Sequence, residues 1–126
     1  YIIERTRRKI VVEGRYSSLE GNLNDLTPKM ISDAAKKGDG VAVDIFVETG
    51  KHIGVALTSL AHILNPEMAI IGGGIADAGE KLLFEPIRSE LKKRAMDTNA
   101  DSMRIVKAQL GNQAGLVGSA MLVFQD

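Results

Sequence analysis

No cysteine occurs in the 126 residues. Disulfides and a cysteine-ligated zinc are therefore excluded within this chain. Net charge is also missing: 16 Lys and Arg balance 16 Asp and Glu. That argues against nucleic acid or an anionic membrane as the main partner. No apolar run approaches the roughly 20 residues of a membrane-spanning helix. No basic-then-apolar leader opens the chain, so the expected location is cytoplasmic. The start lacks an initiator methionine, and Tyr1-Ile2-Ile3 opens abruptly inside what reads as an ordered element. The expectation is a piece of a longer protein. What is present is ordinary for a globular domain: 44% hydrophobic and 25% charged residues. That is enough for one small core.

The most informative stretch runs from Asn65 to Gly79. Met68–Ile71 reads as a short apolar strand that breaks on Gly72, Gly73 and Gly74 and then enters a helix. Glycines at that junction let a ligand approach bare backbone, with free N–H groups and a helix N-terminus facing the gap. Nucleotide-binding α/β folds use this arrangement. The competing reading is a tight strand-to-helix turn with no ligand.

Only three prolines occur, and each marks a boundary. Thr27-Pro28 starts a helix, Thr27 as cap and Pro28 at the first helical position. Met30, Ile31, Ala34 and Ala35 face one way, and Gly38 ends it. Asp39 caps the next helix, which runs from Gly40 or Val41 to about Leu64. One face carries Ala42, Phe46, Thr49, Ile53, Ala56, Leu60 and Ile63. A second carries Val43, Val47, Gly50, Gly54 and Ala61. Each helix-interior glycine costs about 1 kcal/mol relative to alanine, so Gly50 and Gly54 mark the close approach of another backbone. The helix is expected to be buried on two sides, as a central helix against a sheet. Asn65-Pro66 stops it. Pro86 divides the later helical stretch into Glu80–Phe84 and about Pro86–Ala95, with Ile87, Leu91 and Ala95 inward.

Arg104–Ala108 reads as a second strand and Leu110-Gly111-Asn112 as a turn. Gln113–Phe124 is a closing helix with Ala114, Val117, Ala120, Met121 and Phe124 inward. Gly115 and Gly118 suggest tight packing there. Upstream, Tyr1–Val12 reads as a helix, although Ile10-Val11-Val12 also suits a strand. Gly14 to Asp25 is a loop. Two strands joined by a helical crossover form a parallel unit. Two strands make a poor sheet alone, so further strands are expected upstream or in a partner chain.

Other residues point less sharply. Arg5, Arg7, Arg8 and Lys9 suit a phosphate patch or, as the reading preferred here, a solvated helix face. His52 and His62 are ten residues apart, roughly 1000° around a helix, and so are not a metal pair. Asp77 and Glu80 could reach a ribose or an ion; capping the following helix is the preferred role. Asp33, Asp39 and Asp44 form no catalytic pair, and no nucleophile stands with a base.

Three segments carry a family resemblance. Gly38-Asp39-x-x-Ala42, Asn65-Pro66-Glu67 with Ile70-Ile71-Gly72-Gly73-Gly74-Ile75, and Leu110-Gly111-Asn112-Gln113-Ala114-Gly115-Leu116-Val117-Gly118-Ser119-Ala120 resemble motifs of the ROK family in the same order. That family holds bacterial sugar kinases, glucokinases above all, and sugar-responsive repressors. Gln113 stands where Asp is common and Ser119 where Ala is common.

The resemblance implies an α/β fold, helix-rich with a parallel β-α-β unit. It would be the C-terminal portion of an actin-like (ribonuclease H-like) ATPase, with residues 1–126 a single fragment of the C-terminal lobe. The family's Asp-Gly-Gly-Thr phosphate segment, catalytic Asp, Glu-x-Gly-His sugar motif and Cys-x-Cys-Gly-x-x-Gly-Cys zinc motif are not in these residues. No catalytic residue or metal ligand is therefore expected here, and zinc is possible only upstream. By resemblance, Gly72, Gly73 and Gly74 line a nucleotide, while Ile75 and Ala76 touch its adenosine. The intact protein would use ATP and Mg²⁺ to phosphorylate a hexose, as a homo-oligomer, and this fragment alone would be inactive. The alternative is the sugar-sensing part of a ROK repressor, which would add DNA as a partner.

Overall fold

The computed structural model describes residues 1–95 and 103–122. Local chemistry places the first helices. Helix α1 (Ile2–Val11) continues through Ile10 and Val11, and the Val12 N–H bonds the Arg8 carbonyl, which excludes a strand there. The expected loop contains a 3₁₀ turn, Glu20–Asp25. Thr27 Oγ1 accepts the Met30 N–H at 3.2 Å and opens α2 (Pro28–Lys36). Gly38, at φ +89°, reverses the chain. Asp39 Oδ1 accepts the Ala42 N–H at 3.0 Å and opens α3 (Gly40–Leu64). Asn65 ends α3 in the left-handed region, ahead of Pro66.

Strand β1 (Met68–Ile71) pairs in parallel with β2 (Arg104–Lys107), Met68 opposite Arg104 and Ile71 opposite Lys107. Between them lie a 3₁₀ turn (Gly74–Ala78), a π turn (Glu80–Phe84) and α4 (Glu85–Arg94). The stretch divides into two elements where Pro86 was expected to divide it, although the backbone runs on from one to the other without a break. Pro86 sits in the first turn of α4, where a missing N–H has no consequence. A last 3₁₀ turn, Gly111–Gln113, leads into α5 (Ala114–Leu122).

The core gathers around α3. Ile31 of α2, Ile45 and Phe46 of α3, Leu83 of the π turn and Ile87 of α4 are fully buried. The main neighbours of α3 are α1 and α2, and α4 with the π turn. They are helices rather than the expected sheet. The glycines were read correctly. A Cβ on Gly50 would stand 2.9 Å from the Leu83 carbonyl oxygen and from Pro86 Cβ. A Cβ on Gly54 would stand 2.7 Å from Glu90 Cβ and 2.8 Å from the Ile87 oxygen. These two positions let α4 lie directly on α3.

The second apolar face expected on α3 is buried or half-buried as far as Ala61, but the first diverges from the structure further on. Ala42, Phe46 and Thr49 are buried, but Ala56, Leu60 and Ile63 of the same face are exposed, Ile63 at 77%. In α5 no residue is buried; Ala114, Ala120 and Met121 are exposed and Val117 half-buried. No described atom comes within 4 Å of a Cβ built on Gly115 or Gly118. Phe124 lies outside the described residues. Periodicity marks a face that needs a neighbour, and the described residues supply none at these positions. Ile70 of β1 is likewise 64% exposed, on a sheet of two strands.

The basic cluster on α1 is not a solvated face. Lys9 is 5% exposed and its Nζ donates to Glu48 at 2.6 Å. Arg5 donates to Glu48 and Glu13, both at 3.2 Å. Arg7 Nε donates to the Leu23 carbonyl at 2.8 Å. These cations pin α1 to α3 and to the 3₁₀ turn, because long side chains can bury their stems and still reach an acceptor.

Candidate functional site

The site begins where β1 ends. The Ala108 N–H donates to the Ile71 carbonyl at 2.9 Å and closes the ladder. Gly72 follows, with room for a Cβ only at 3.4 Å from that of Ala108. Gly73 takes φ +77° and ψ 178°, a region essentially reserved for glycine. Gly74 then opens the 3₁₀ turn, and the Ala76 N–H bonds back to the Gly73 carbonyl at 3.1 Å. Open α/β folds place ligands at such a position, outside the carboxyl end of a strand.

All three glycines are exposed, and no described atom comes within 4 Å of a Cβ on Gly73 or Gly74. Ile75 is half-buried, and Ala76 is buried in the core at 1% exposure. The helix expected after the glycines is a 3₁₀ turn of five residues. So short an element has little dipole, and the open backbone is what remains of the anion-site argument.

The turn is fastened from two sides. Lys107 Nζ donates to Asp77 Oδ1 at 2.7 Å. That hydrogen bond and charge hold the Asp77 carboxyl below its ordinary range, with a smaller contribution from Lys36. Arg88 pairs with Glu80, and its other nitrogen donates to the Ile105 carbonyl at 3.0 Å. Asp77 and Glu80 are thus tied to β2 and α4. No side chain caps the turn at Glu80, so the preferred capping role does not hold.

Facing the glycine turn across a cleft of about 690 Å³ is α2. Gly74 and Asp77 form one wall; Ser32, Asp33 and Lys36, with Thr27-Pro28-Lys29 at the helix entry, form the other. The volume lies in the range of small-molecule sites, about 300–1,000 Å³. This second wall was not legible from sequence, where Asp33 reads as solvated. The available signal was Ser32, a polar residue beside Ile31 on the buried side of α2.

The histidines lie elsewhere. His52 Nδ1 is 3.1 Å from the Tyr1 hydroxyl, and both residues are exposed. Among the described residues no three His, Asp or Glu side chains are grouped to hold a metal ion. No helix among them is long and apolar enough to cross a membrane.

Comparison with known proteins agrees with this geometry. The ROK family model matches residues 7–126. A glucokinase of Streptomyces coelicolor is 39% identical over 104 residues, covering 82% of this chain and 32% of that protein. The xylose repressor of Caldicellulosiruptor bescii is 33% identical over 115 residues, covering 91% of this chain and 28% of that protein. The crystal structure of a ROK family glucokinase from Streptomyces griseus, in complex with glucose and AMPPNP, superposes with a TM-score of 0.81. It is 35% identical, and the match covers 99% of this chain and 42% of that one. The chain spans about a third of the length of the curated relatives it matches. The fold is the actin-like fold of ROK sugar kinases, and this chain belongs to the ROK family.

Proposed function

We propose that these residues form the nucleotide-side part of an ATP-dependent hexose kinase of the glucokinase type. The observation that carries the reading is the bare backbone of Gly73 and Gly74 on the rim of the cleft against α2. A flat base and ribose can lie against backbone that presents no side chains. Gly72 continues that surface to the strand end. Ile75, half-buried, would complete the adenosine contact, with Ala76 packed in the core directly behind it. The Streptomyces relatives support ATP and a hexose as ligands. In the intact protein, positioning and charge neutralisation by Mg²⁺ carry most of the phosphoryl transfer. Mg²⁺ would be held mainly by the phosphates, with one or two carboxylates of the intact protein. The catalytic base and sugar ligands would lie outside this chain, and residues 1–126 alone would be inactive. The intact protein would be cytoplasmic and homo-oligomeric, with any zinc upstream.

A second reading is the sugar-sensing part of a ROK repressor, with DNA as a further partner. The match to the xylose repressor over 91% of the chain favours it. The deciding experiment supplies the intact protein with ATP, Mg²⁺ and a panel of hexoses. Hexose-dependent ADP formation supports the kinase; its absence, with the protein folded, leaves the repressor. Gly74→Val tests the site itself. Its Cβ enters open space with no described atom within 4 Å, whereas Gly73→Val would also strain a φ of +77°. Nucleotide affinity should fall at least tenfold with unchanged thermal stability. Unchanged affinity would remove Gly74 from the site.

A further inference from the structure

Among the described residues, one buried hydroxyl has no assigned partner. Ser32 is 8% exposed, and its Oγ makes no hydrogen bond among the described residues. The other buried hydroxyls do. Thr6, Thr49 and Thr58 donate to the carbonyls of Ile2, Ile45 and Gly54, one helical turn back, at 2.7–2.8 Å. Ser17 donates to Asp39 at 2.9 Å. Ser32 has the Pro28 carbonyl one turn back and does not use it in that way. A buried polar group without a partner is rare enough in folded proteins to require a reason.

The reason lies in its position. Ser32 forms part of the cleft wall that faces Gly74 and Asp77. Its Oγ is itself buried as the structure stands, and a turn about χ1, which has three staggered wells, would bring it to the cleft without moving α2. Asp33, beside it, and Asp77, opposite, also line the cleft. Asp77 is held ionised by Lys107. Carboxylates accept from vicinal hydroxyls, the chemistry by which proteins recognise ribose. Ser32 and Asp33 on α2, with Asp77 across the cleft beside Gly74, give both walls polar groups next to the bare glycine backbone.

Resting on the nucleotide reading above, we propose that Ser32 is a specificity-determining residue of this site. Its hydroxyl bonds a ribose hydroxyl of the bound ribonucleotide and so discriminates against the deoxy form.

The test uses Ser32→Ala in the intact protein. Removing a buried hydroxyl that has no partner should leave the free protein as stable as before or raise its Tm, since nothing is left unpaired. ATP affinity should fall about five- to tenfold, the effect of one lost neutral hydrogen bond. Titration with 2′-deoxy-ATP and 3′-deoxy-ATP then locates the contact. Wild type should lose a similar factor with one of the two, and Ser32→Ala should lose nothing further with that analogue. If wild type binds ATP and Ser32→Ala binds it equally well, the Ser32 assignment fails and the nucleotide reading stands. An equal loss with all three ligands overturns the ribose contact. A fall in the Tm of the free variant also overturns the proposal, because the hydroxyl would then be bonded within the protein. If wild type binds no nucleotide, the nucleotide reading fails first.

Discussion

Gly54→Ala should destabilise this protein, although the same change in an ordinary helix stabilises it. In a free helix interior, alanine is favoured over glycine by about 1 kcal/mol. Here the added Cβ would stand 2.7 Å from Glu90 Cβ and 2.8 Å from the Ile87 carbonyl oxygen. The oxygen belongs to the backbone of α4, which cannot swing aside as a flexible side chain does. Ordinary contact needs nearly 1 Å more, so α4 must move away from α3. Overpacking of this kind costs about 1–3 kcal/mol. Subtracting the propensity gain leaves a loss of about 0–2 kcal/mol, and the rigid backbone contact at 2.8 Å puts Gly54→Ala toward the upper end. Gly50→Ala, at 2.9 Å from the Leu83 oxygen, should fall in the same range. The double variant should lose less than the sum, because one outward shift of α4 relieves both clashes. Gly40→Ala is the control. Its Cβ would meet only the tip of Arg15, at 4.0 Å, so the change should be neutral or slightly stabilising. Urea unfolding followed by circular dichroism measures all four. A Gly54→Ala protein as stable as wild type would refute the close approach of α4 on α3.

Two further perturbations follow from the charged groups that fasten the helices. Burial pushes the Asp39 carboxyl up, but hydrogen bonds from the Ala42 N–H, the Ser18 N–H and the Ser18 and Ser17 hydroxyls outweigh it and hold it below its ordinary range. The stabilisation is therefore present above the unfolded value of about 3.9 and is lost as pH falls through the lower folded value. Asp39→Ala should cost about 2 kcal/mol at pH 7, the upper end for a cap, because the loop serines lose their acceptor too. The gap from wild type should close in urea titrations carried well below pH 4. Glu48→Gln removes the main partner of Lys9, which is nearly fully buried, and leaves Asp44 at 3.9 Å. Breaking a fully buried pair costs about 3–5 kcal/mol. Glu48 keeps a third of its side chain in water, so about 2 kcal/mol is expected. A Glu48→Gln, Lys9→Met double variant should recover part of that loss, and no recovery would mean that the buried ammonium is not what the single variant leaves uncompensated.

The elements that could be read from sequence were those with a local cause. Thr27 and Asp39 bond the backbone three residues ahead, so each helix start is written in consecutive residues. Asn65-Pro66 stops α3 by local sterics, and Gly50 and Gly54 mark the close approach of α4, whereas Gly115 and Gly118 of α5 meet no described atom. The charges on α1 were misread because their partners are distant: Glu48 is 39 residues from Lys9. The turn after Gly74 was misread because Asp77 and Glu80 find Lys107 and Arg88 rather than a helix end to cap.

The sequence by itself determined the family, from three separate segments, and the starts of α2 and α3, the end of α3 and the glycine junction, each of which rests on residues within a turn or two of one another. Only the tertiary structure decided which of those features face a cleft. It brought Ser32 of α2 opposite Gly74, 42 positions along the chain by their numbers, and left the hydroxyl unbonded there. Among the described residues it also left Leu60, Ile63 and all of α5 but the half-buried Val117 uncovered, because burial belongs to a neighbour and not to the apolar residue that seeks one.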